Sequence, residues 1–391
     1  MTHQDAADAV LRAAVEAGEV PGVVAMAATR DGVLYQGAFG RRGLDTTAPM
    51  TVDTLFWIAS MTKAVTSVAA MQLVEAGRIG LDDPLGPVLE ELRAPLVLEG
   101  FDADGAALVR PAEGVVTLRR LLTHTAGFGY DFWHPDIARY MREQGIPSLH
   151  GGDPAAFRVP LRFDPGTRWQ YGISTDVAGR VVERLAGQGL GDYLRAHVFA
   201  PLGMDETGFG VPPAWQARLA TRHRRDATGA LAPIEFRAPE RPRFESGGGG
   251  LFSTGPDYLR FLRMLLGGGT LDGVRLLRPE TVAAMAENHI GALEVEPLPE
   301  SDPPGFSNRA EFFPGMPKKW GLGFLINTGA APGGGRAAGS LAWAGLANTY
   351  YWIDPSRGVT GLLLTQILPF ADPAVLGLLD RFERSVYAAL G

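Results

Sequence analysis

The stretch Ile58–Val65, "IASMTKAV", decides how the rest of the chain is read, because it sets a serine and a lysine three residues apart at the start of an apolar run. From Met61 to Val74 the polar residues are Thr62, Lys63, Thr66, Ser67 and Gln72. That pattern predicts a helix from Ser60 to Ala76, buried on most of its circumference and ended by Gly77 and Arg78. An ammonium buried there is desolvated, and the positive end of the helix dipole disfavours a cation in the first turn. Both effects favour the uncharged amine, which can accept a proton. Ser60 stands at i, i+3 from Lys63, on the same helix face and within reach of its nitrogen. A serine hydroxyl is a weak nucleophile until a neighbour removes its proton, and its own backbone N–H at a helix start points to where an oxyanion forms. The plainer alternative is that Ser60 caps the helix while Lys63 snorkels from its end, and the two residues alone favour it.

A second stretch shifts the balance. In "PGTRWQYGISTDVAGRVVERLAG" Tyr171 falls on a turn just ahead of a helix starting near Ser174 or Thr175, a position suited to presenting a phenol into a cleft. Such a phenol can relay the Ser60 proton to a leaving group. Against this, Tyr171 is one of nine tyrosines and could be ordinary packing.

Four motifs then line up: "SMTK" (Ser60 to Lys63), "LLTHTAGFGY" (Leu121 to Tyr130), "YGI" (Tyr171 to Ile173) and "WAG" (Trp343 to Gly345). Their order and spacing resemble the β-lactamase and penicillin-binding-protein-like serine hydrolases, most closely the esterase branch related to class C β-lactamases, the family VIII carboxylesterases. The likeness spans about Val20 to Leu390 and includes "SGGGGLFST" and "WGLGF". It implies Ser60 as the acylated nucleophile, Lys63 as its base and Tyr171 as the second proton carrier. It also implies an oxyanion hole made by the backbone N–H groups of Ser60 and Leu346, beside a close-approach glycine at Gly345. Many relatives carry K-T-G as the third motif, whose lysine and hydroxyl hold a substrate carboxylate; here Trp343 and Ala344 stand in those places. The usual asparagine of the second motif is replaced by Ile173. An aromatic third motif favours uncharged, apolar acyl or alcohol groups over β-lactams and D-Ala-D-Ala peptides.

The organisation along the chain agrees with this. The first helix has apolar positions at Ala7, Val10, Leu11, Ala14 and Val15, followed by two strand-like runs around Asp31-Gly32. The far end mirrors it with two strands across Asp354-Pro355 and a closing helix from about Pro373 to Leu390. The expected fold is therefore α/β of the α+β type: an antiparallel sheet flanked by helices and built from both termini, residues 1–84 and 241–391. Residues 85–240 form a mostly helical inserted domain, with the active site in the groove between. Segments 98–115 and 285–318, rich in Pro and Gly, are expected as irregular loops.

Composition narrows the partners. The 391-residue chain is 46% hydrophobic with net charge −7 and no basic cluster, so nucleic acid is not expected. It contains no cysteine, no apolar run of about 18 residues, and no basic n-region before an apolar segment, which points to a cytoplasmic protein with no membrane partner. No G-x-S-x-G elbow, H-E-x-x-H or P-loop occurs, and no metal or cofactor is expected. His124, in "LLTHTAGFGY", is read as ordering a helix end. Tyr130, Phe132 and Trp133 are read either as interdomain core or as walls of a substrate pocket, together with Trp343 and Gly345. The expected partner is a small-molecule ester, cleaved through an acyl-serine intermediate. An amidase, peptidase, β-lactamase or acyltransferase with the same Ser-Lys-Tyr apparatus is the alternative, and a non-catalytic acyl-ligand-binding protein is the alternative from another class. The oligomeric state is left open.

Overall fold

The structure, a computed structural model, describes residues 3–149 and 153–390. Its centre is an antiparallel sheet. Strands β1 (Gly22–Thr29) and β2 (Val33–Gly40) form the hairpin at Asp31-Gly32. Five more strands come from the other end of the chain: β3 (Lys318–Trp320), β4 (Leu325–Asn327), β5 (Leu341–Gly345), β6 (Thr349–Asp354) and β7 (Val359–Leu364). Their order is β3-β4-β5-β6-β7-β1-β2. The pairing of β1 with β7, Val24 opposite Leu364, joins the two ends of the chain into one sheet.

Side chains alternate between the faces of a strand, and β6 shows what covers each face. The Trp352 ring meets Phe382 of the closing helix Pro373–Leu390, with centroids 6.0 Å apart, and that helix packs beside the opening helix α1 (His3–Glu16). The neighbouring Tyr351 faces the other way and meets Tyr258 of the helix Gly255–Leu266, at 5.6 Å. Both faces are thus covered, and every residue of β6 and β7 is buried. The turn between these strands is fixed by Asp354, whose carboxylate accepts from Arg357 N at 2.9 Å and from the Tyr387 hydroxyl at 2.8 Å.

The helix carrying Lys63, α2 (Thr62–Glu75), begins two residues later than the sequence predicts, because Ala59–Met61 forms a 3₁₀ turn. It packs against α3 (Ser174–Ala186) from the middle of the chain, and the main apolar core draws on residues from Ala7 to Tyr387, with a small second cluster around Leu55, Val211, Ala238 and Phe252. The segment expected as an irregular loop at 98–115 is instead largely a hairpin, Leu96–Phe101 against Ala107–Pro111. Its turn is an Asx arrangement in which the Asp102 carboxylate accepts from Asp104 N at 3.0 Å and Ala106 N at 2.8 Å. Among the described residues no helix is long and apolar enough to cross a membrane.

One buried ion pair anchors the closing helix. Arg336 and Glu383, 5% and 7% exposed, are joined through Nε–Oε1 at 3.0 Å and a second, shorter Nη2–Oε2 bond, and the same carboxylate accepts from Arg336 N at 3.1 Å. Removing one partner leaves an uncompensated buried charge, so Glu383→Ala is expected to destabilise the fold by about 3–5 kcal/mol. Urea unfolding followed by circular dichroism measures this; a change under about 1 kcal/mol would mean that water compensates Arg336.

Candidate active site

The site is assembled around the start of α2. Ala59, immediately before Ser60, has a φ of 44°, in the left-handed region that non-glycine residues rarely occupy. Such an outlier persists only where surrounding contacts enforce it. The contacts are present: Tyr258 Oη donates to Met61 O at 2.9 Å, Leu251 N donates to Thr62 Oγ1 at 3.1 Å, and Thr349 Oγ1 donates to Ile58 O at 3.3 Å. The end of β5 lies directly against this turn. A Cβ added at Gly345 would fall 2.3 Å from Ile58 O, which only glycine avoids. Ser60 and Leu346, the two expected oxyanion donors, both line the cavity that opens here, each partly exposed.

Lys63 is 1% exposed, and its three hydrogen bonds come from three separate parts of the chain. Nζ lies 3.4 Å from Ser60 Oγ, 2.9 Å from Tyr130 Oη and 2.7 Å from the carbonyl of Gly248. The first is long, as hydrogen bonds among reacting groups often are before substrate arrives. Gly248 is held from its other side by Asp176, in the first turn of α3, whose Oδ1 accepts from Gly248 N at 2.9 Å and from Ser246 Oγ at 2.5 Å. The carboxylate presses on the glycine so closely that a Cβ there would stand 2.1 Å from Oδ2. Asp176 therefore aims a carbonyl at Lys63 through one peptide unit. Neither residue was singled out from the sequence, although an aspartate on the apolar face of "STDVAG" was a signal available to it.

The two tyrosines stand differently from expectation. The phenol oxygen at hydrogen-bond distance from Lys63 is that of Tyr130, expected as a pocket wall. The Tyr171 hydroxyl accepts instead from Trp343 Nε1 at 2.9 Å, and Tyr171 turns its ring toward the lysine, with Nζ 4.7 Å from the centroid. Among the described residues no hydrogen bond joins Tyr171 to Ser60 or Lys63. Burial is the main cause that drives the Tyr130 phenol well above its ordinary range, with Tyr171 and the Asp176 and Asp131 carboxylates adding to it and a hydrogen bond with Ser60 opposing it. Tyr130 therefore holds its proton at neutral pH.

The cavity above these groups is about 700 Å³ and predominantly aromatic. Phe132, Trp133 and Trp343 line it with Tyr130, Tyr171 and Phe370, and Ser246 with Gly248–Gly250 forms one side. His124 lies behind Tyr171, with ring centroids 4.7 Å apart, and its carbonyl accepts from Gln170 N at 2.8 Å, which fixes the chain just before Tyr171. Among the described residues no group of three or more His, Asp or Glu side chains is placed to hold a metal ion.

A serine and a buried lysine three residues apart thus stand at the floor of the cavity, in a β-lactamase and transpeptidase-like fold. The chain belongs to the beta-lactamase family, whose model matches residues 7–382. It is 36% identical to the monacolin J acid methylbutanoyltransferase of Aspergillus terreus, over 97% of this chain and 95% of that protein. It is 33% identical to the lovastatin esterase of Penicillium rubens, over 97% of each. The solved structure of unliganded simvastatin synthase from Aspergillus terreus superposes with a TM-score of 0.85 at 33% identity, covering 99% of this chain and 98% of that one. The family thus contains both hydrolases and acyltransferases.

Two histidines near the site carry a pH dependence. His124 is 1% exposed with Nδ1 unpartnered, and His134 is 7% exposed with Nε2 unpartnered. Burial above all, with Lys63 adding to it, holds His124 well below the usual imidazole range. Burial, with Arg162 adding to it, pushes His134 down to about 4. Because the folded state binds these protons less readily than the unfolded chain, the stability they contribute is present above pH about 6.5 and is lost as pH falls through the folded values. For His134 that amounts to about 3 kcal/mol. Asp257, pushed up to about 6 by burial, works in the opposite sense between its ordinary range and that value. The expected result is an unfolding midpoint that drops between pH 6.5 and 4.5, with a shallower slope in His134→Gln; equal slopes would remove His134 from the account.

Proposed function

We propose that the protein transfers acyl groups from carboxylic esters through an acyl-Ser60 intermediate, which water or an alcohol then resolves. The observation that carries this is the Ser60–Lys63–Tyr130 cluster at the floor of a largely aromatic cavity. In the first half-reaction the Ser60 hydroxyl proton passes to Lys63 Nζ as Oγ attacks the ester carbonyl. The carbonyl oxygen gains its charge between the backbone N–H groups of Ser60 and Leu346. When the tetrahedral adduct collapses, the C–O bond to the alcohol breaks. The departing oxygen takes a proton from Tyr130 Oη, which is replenished from Lys63 across their 2.9 Å contact. In the second half-reaction the same groups run in reverse: an incoming water or alcohol gives up its proton and the acyl–Oγ bond breaks.

Tyr171 serves a different purpose in this scheme. Its hydroxyl is committed to Trp343, and its ring, 4.7 Å from Nζ, gives the lysine an aromatic, dry flank. Trp343 occupies the place where K-T-G relatives carry a lysine, so the carboxylate anchor used for β-lactams and peptides is missing at that position. The printed activities of the relatives, methylbutanoyl transfer in one and ester cleavage in the other, support acyl transfer from esters to either kind of acceptor.

Ser60→Ala should abolish 4-nitrophenyl butyrate hydrolysis, and an intact-mass measurement on wild type during turnover should show the butyryl adduct on the peptide containing Ser60. Residual activity above about a tenth of wild type would overturn the nucleophile assignment. Tyr130→Phe should lower kcat by about 100-fold or more, while Tyr171→Phe, which keeps the ring, should lower it by about tenfold or less. The reverse order would return the proton-carrying role to Tyr171.

A further inference from the structure

The cavity contains a cation that the fold leaves without an anion. Arg222 lines it, and its guanidinium lies between two aromatic planes, with Cζ 4.0 Å from the Trp57 centroid and 3.3 Å from the Phe236 centroid. Trp57 is fixed in turn, three residues before Ser60, by Nε1 donating to Gly249 O at 2.7 Å and by its own carbonyl accepting from Gln366 Nε2 at 3.0 Å. Stacking satisfies the faces of a guanidinium but not its N–H edge. Among the described residues no carboxylate, carbonyl or hydroxyl meets that edge. Burial alone pushes Arg222 down to about 9, so it keeps its charge at neutral pH while being partly stripped of water. Two more arginines on the cavity wall, Arg241 and Arg243, are exposed and equally without a carboxylate. The stretch 222–243 holds six arginines against three carboxylates in a chain whose net charge is −7.

A desolvated guanidinium with a free donor edge matches a planar carboxylate, which it can hold by two parallel hydrogen bonds. We infer that Arg222, with Arg241 and Arg243 at the rim, forms an anion subsite of the active-site cavity. It selects substrates that carry a carboxylate remote from the ester being cleaved or formed. This rests on the acyl-transfer reading for the cavity's role as a substrate site. It assigns the charge recognition to a place distinct from Trp343, where K-T-G relatives anchor their substrate carboxylate. The aromatic walls would then hold the apolar body of the substrate between the charged end and Ser60.

Two matched pairs of esters test the inference. 4-Acetoxybenzoate and its methyl ester differ only by a charge on the alcohol side; mono-4-nitrophenyl glutarate and 4-nitrophenyl butyrate place the charge on the acyl side. Wild type is expected to favour the charged member of at least one pair. In Arg222→Gln the charged-to-neutral ratio of kcat/KM should fall about tenfold or more, chiefly through KM. Raising the ionic strength should erode the wild-type preference. A ratio within about twofold of wild type for both pairs overturns the subsite. A binding arm separates this from failure of the esterase reading. By calorimetry, Ser60→Ala protein should bind 2-naphthoate more tightly than 2-naphthalenemethanol, and Arg222→Gln should remove the difference, with thermal melting showing that the variant is folded. If no ester turns over but naphthoate binding depends on Arg222, the acyl-transfer reading falls and the subsite stands. Equal binding of acid and alcohol by the Ser60→Ala protein overturns the subsite whatever the turnover.

Discussion

The structure depends on where one amine is put. Lys63 Nζ has almost no contact with solvent, and its hydrogen bonds reach Ser60 in the turn before its own helix, Tyr130 at the end of "LLTHTAGFGY" and the Gly248 carbonyl in the glycine-rich turn. A buried ammonium or amine left without partners would be costly, so these three stretches must converge for the fold to be stable at all. The convergence explains otherwise odd features nearby. Gly248 must lack a Cβ because Asp176 presses on it, and Gly345 must lack one because β5 ends against the turn before Ser60. Ala59 is held at a positive φ so that the helix can begin with Ser60 facing the cavity rather than the core.

This constraint also explains what could be read from the sequence. Ser60 and Lys63 are related by helix geometry alone, so their proximity follows from a spacing of three residues. Much of the sheet was legible too: β-branched and aromatic runs at both ends of the chain, each with a turn signal, leave little choice but to pair, whereas the strands β3 and β4 at one edge, three residues each, are too short to read. The identity of the tyrosine touching Lys63 was not legible, because Tyr130 and Tyr171 lie 67 and 108 residues from it by sequence number and each sits on an irregular stretch. Which hydroxyl arrives depends on the loop paths and on the partner the other phenol finds. Tyr171 finds the indole of Trp343, a residue read from the sequence as a pocket wall and not as a partner of the phenol. Asp176 was missed for the same reason, since its effect is transmitted through the peptide of a glycine 72 residues away. The hairpin at Leu96–Phe101 and Ala107–Pro111 was hidden because its strands are short, largely exposed and interrupted at Gly100, while its turn relies on a side chain, that of Asp102.

The aromatic wall is more than a filler. His124, Trp169, Tyr171, Trp320 and Trp343 form a continuous set of ring contacts, and Trp320 Nε1 donates to Leu122 O at 3.0 Å, tying the wall to "LLTHTAGFGY". Edge-to-face and tilted contacts of this kind fix orientation as well as burying area. A lysine at position 343 would break that set by placing a second cation near Lys63. The replacement of the third motif by an indole and the turning of Tyr171 toward it are therefore one change. Together they convert a polar, anion-holding side of the groove into a dry one, suited to an apolar body.

A dry groove raises the question of how charge is handled within it, and the molecule offers an internal comparison. Arg336 and Arg222 are both guanidiniums removed from water in part or in full. Arg336 is compensated by Glu383 through two side-chain bonds and has a structural role behind the sheet. Arg222 is flanked only by Trp57 and Phe236, and Phe236 is itself 40% exposed, so the outer half of the stack stands at the mouth of the cavity. If Arg222 were there for stability alone, an acidic partner or a neutral residue would serve better, because a cation in partial burial lowers stability unless something offsets it. The aromatic sandwich offsets some of this without using any of the five donors. Those donors therefore remain uncommitted on the wall of the cavity, which is the feature an anion would complete.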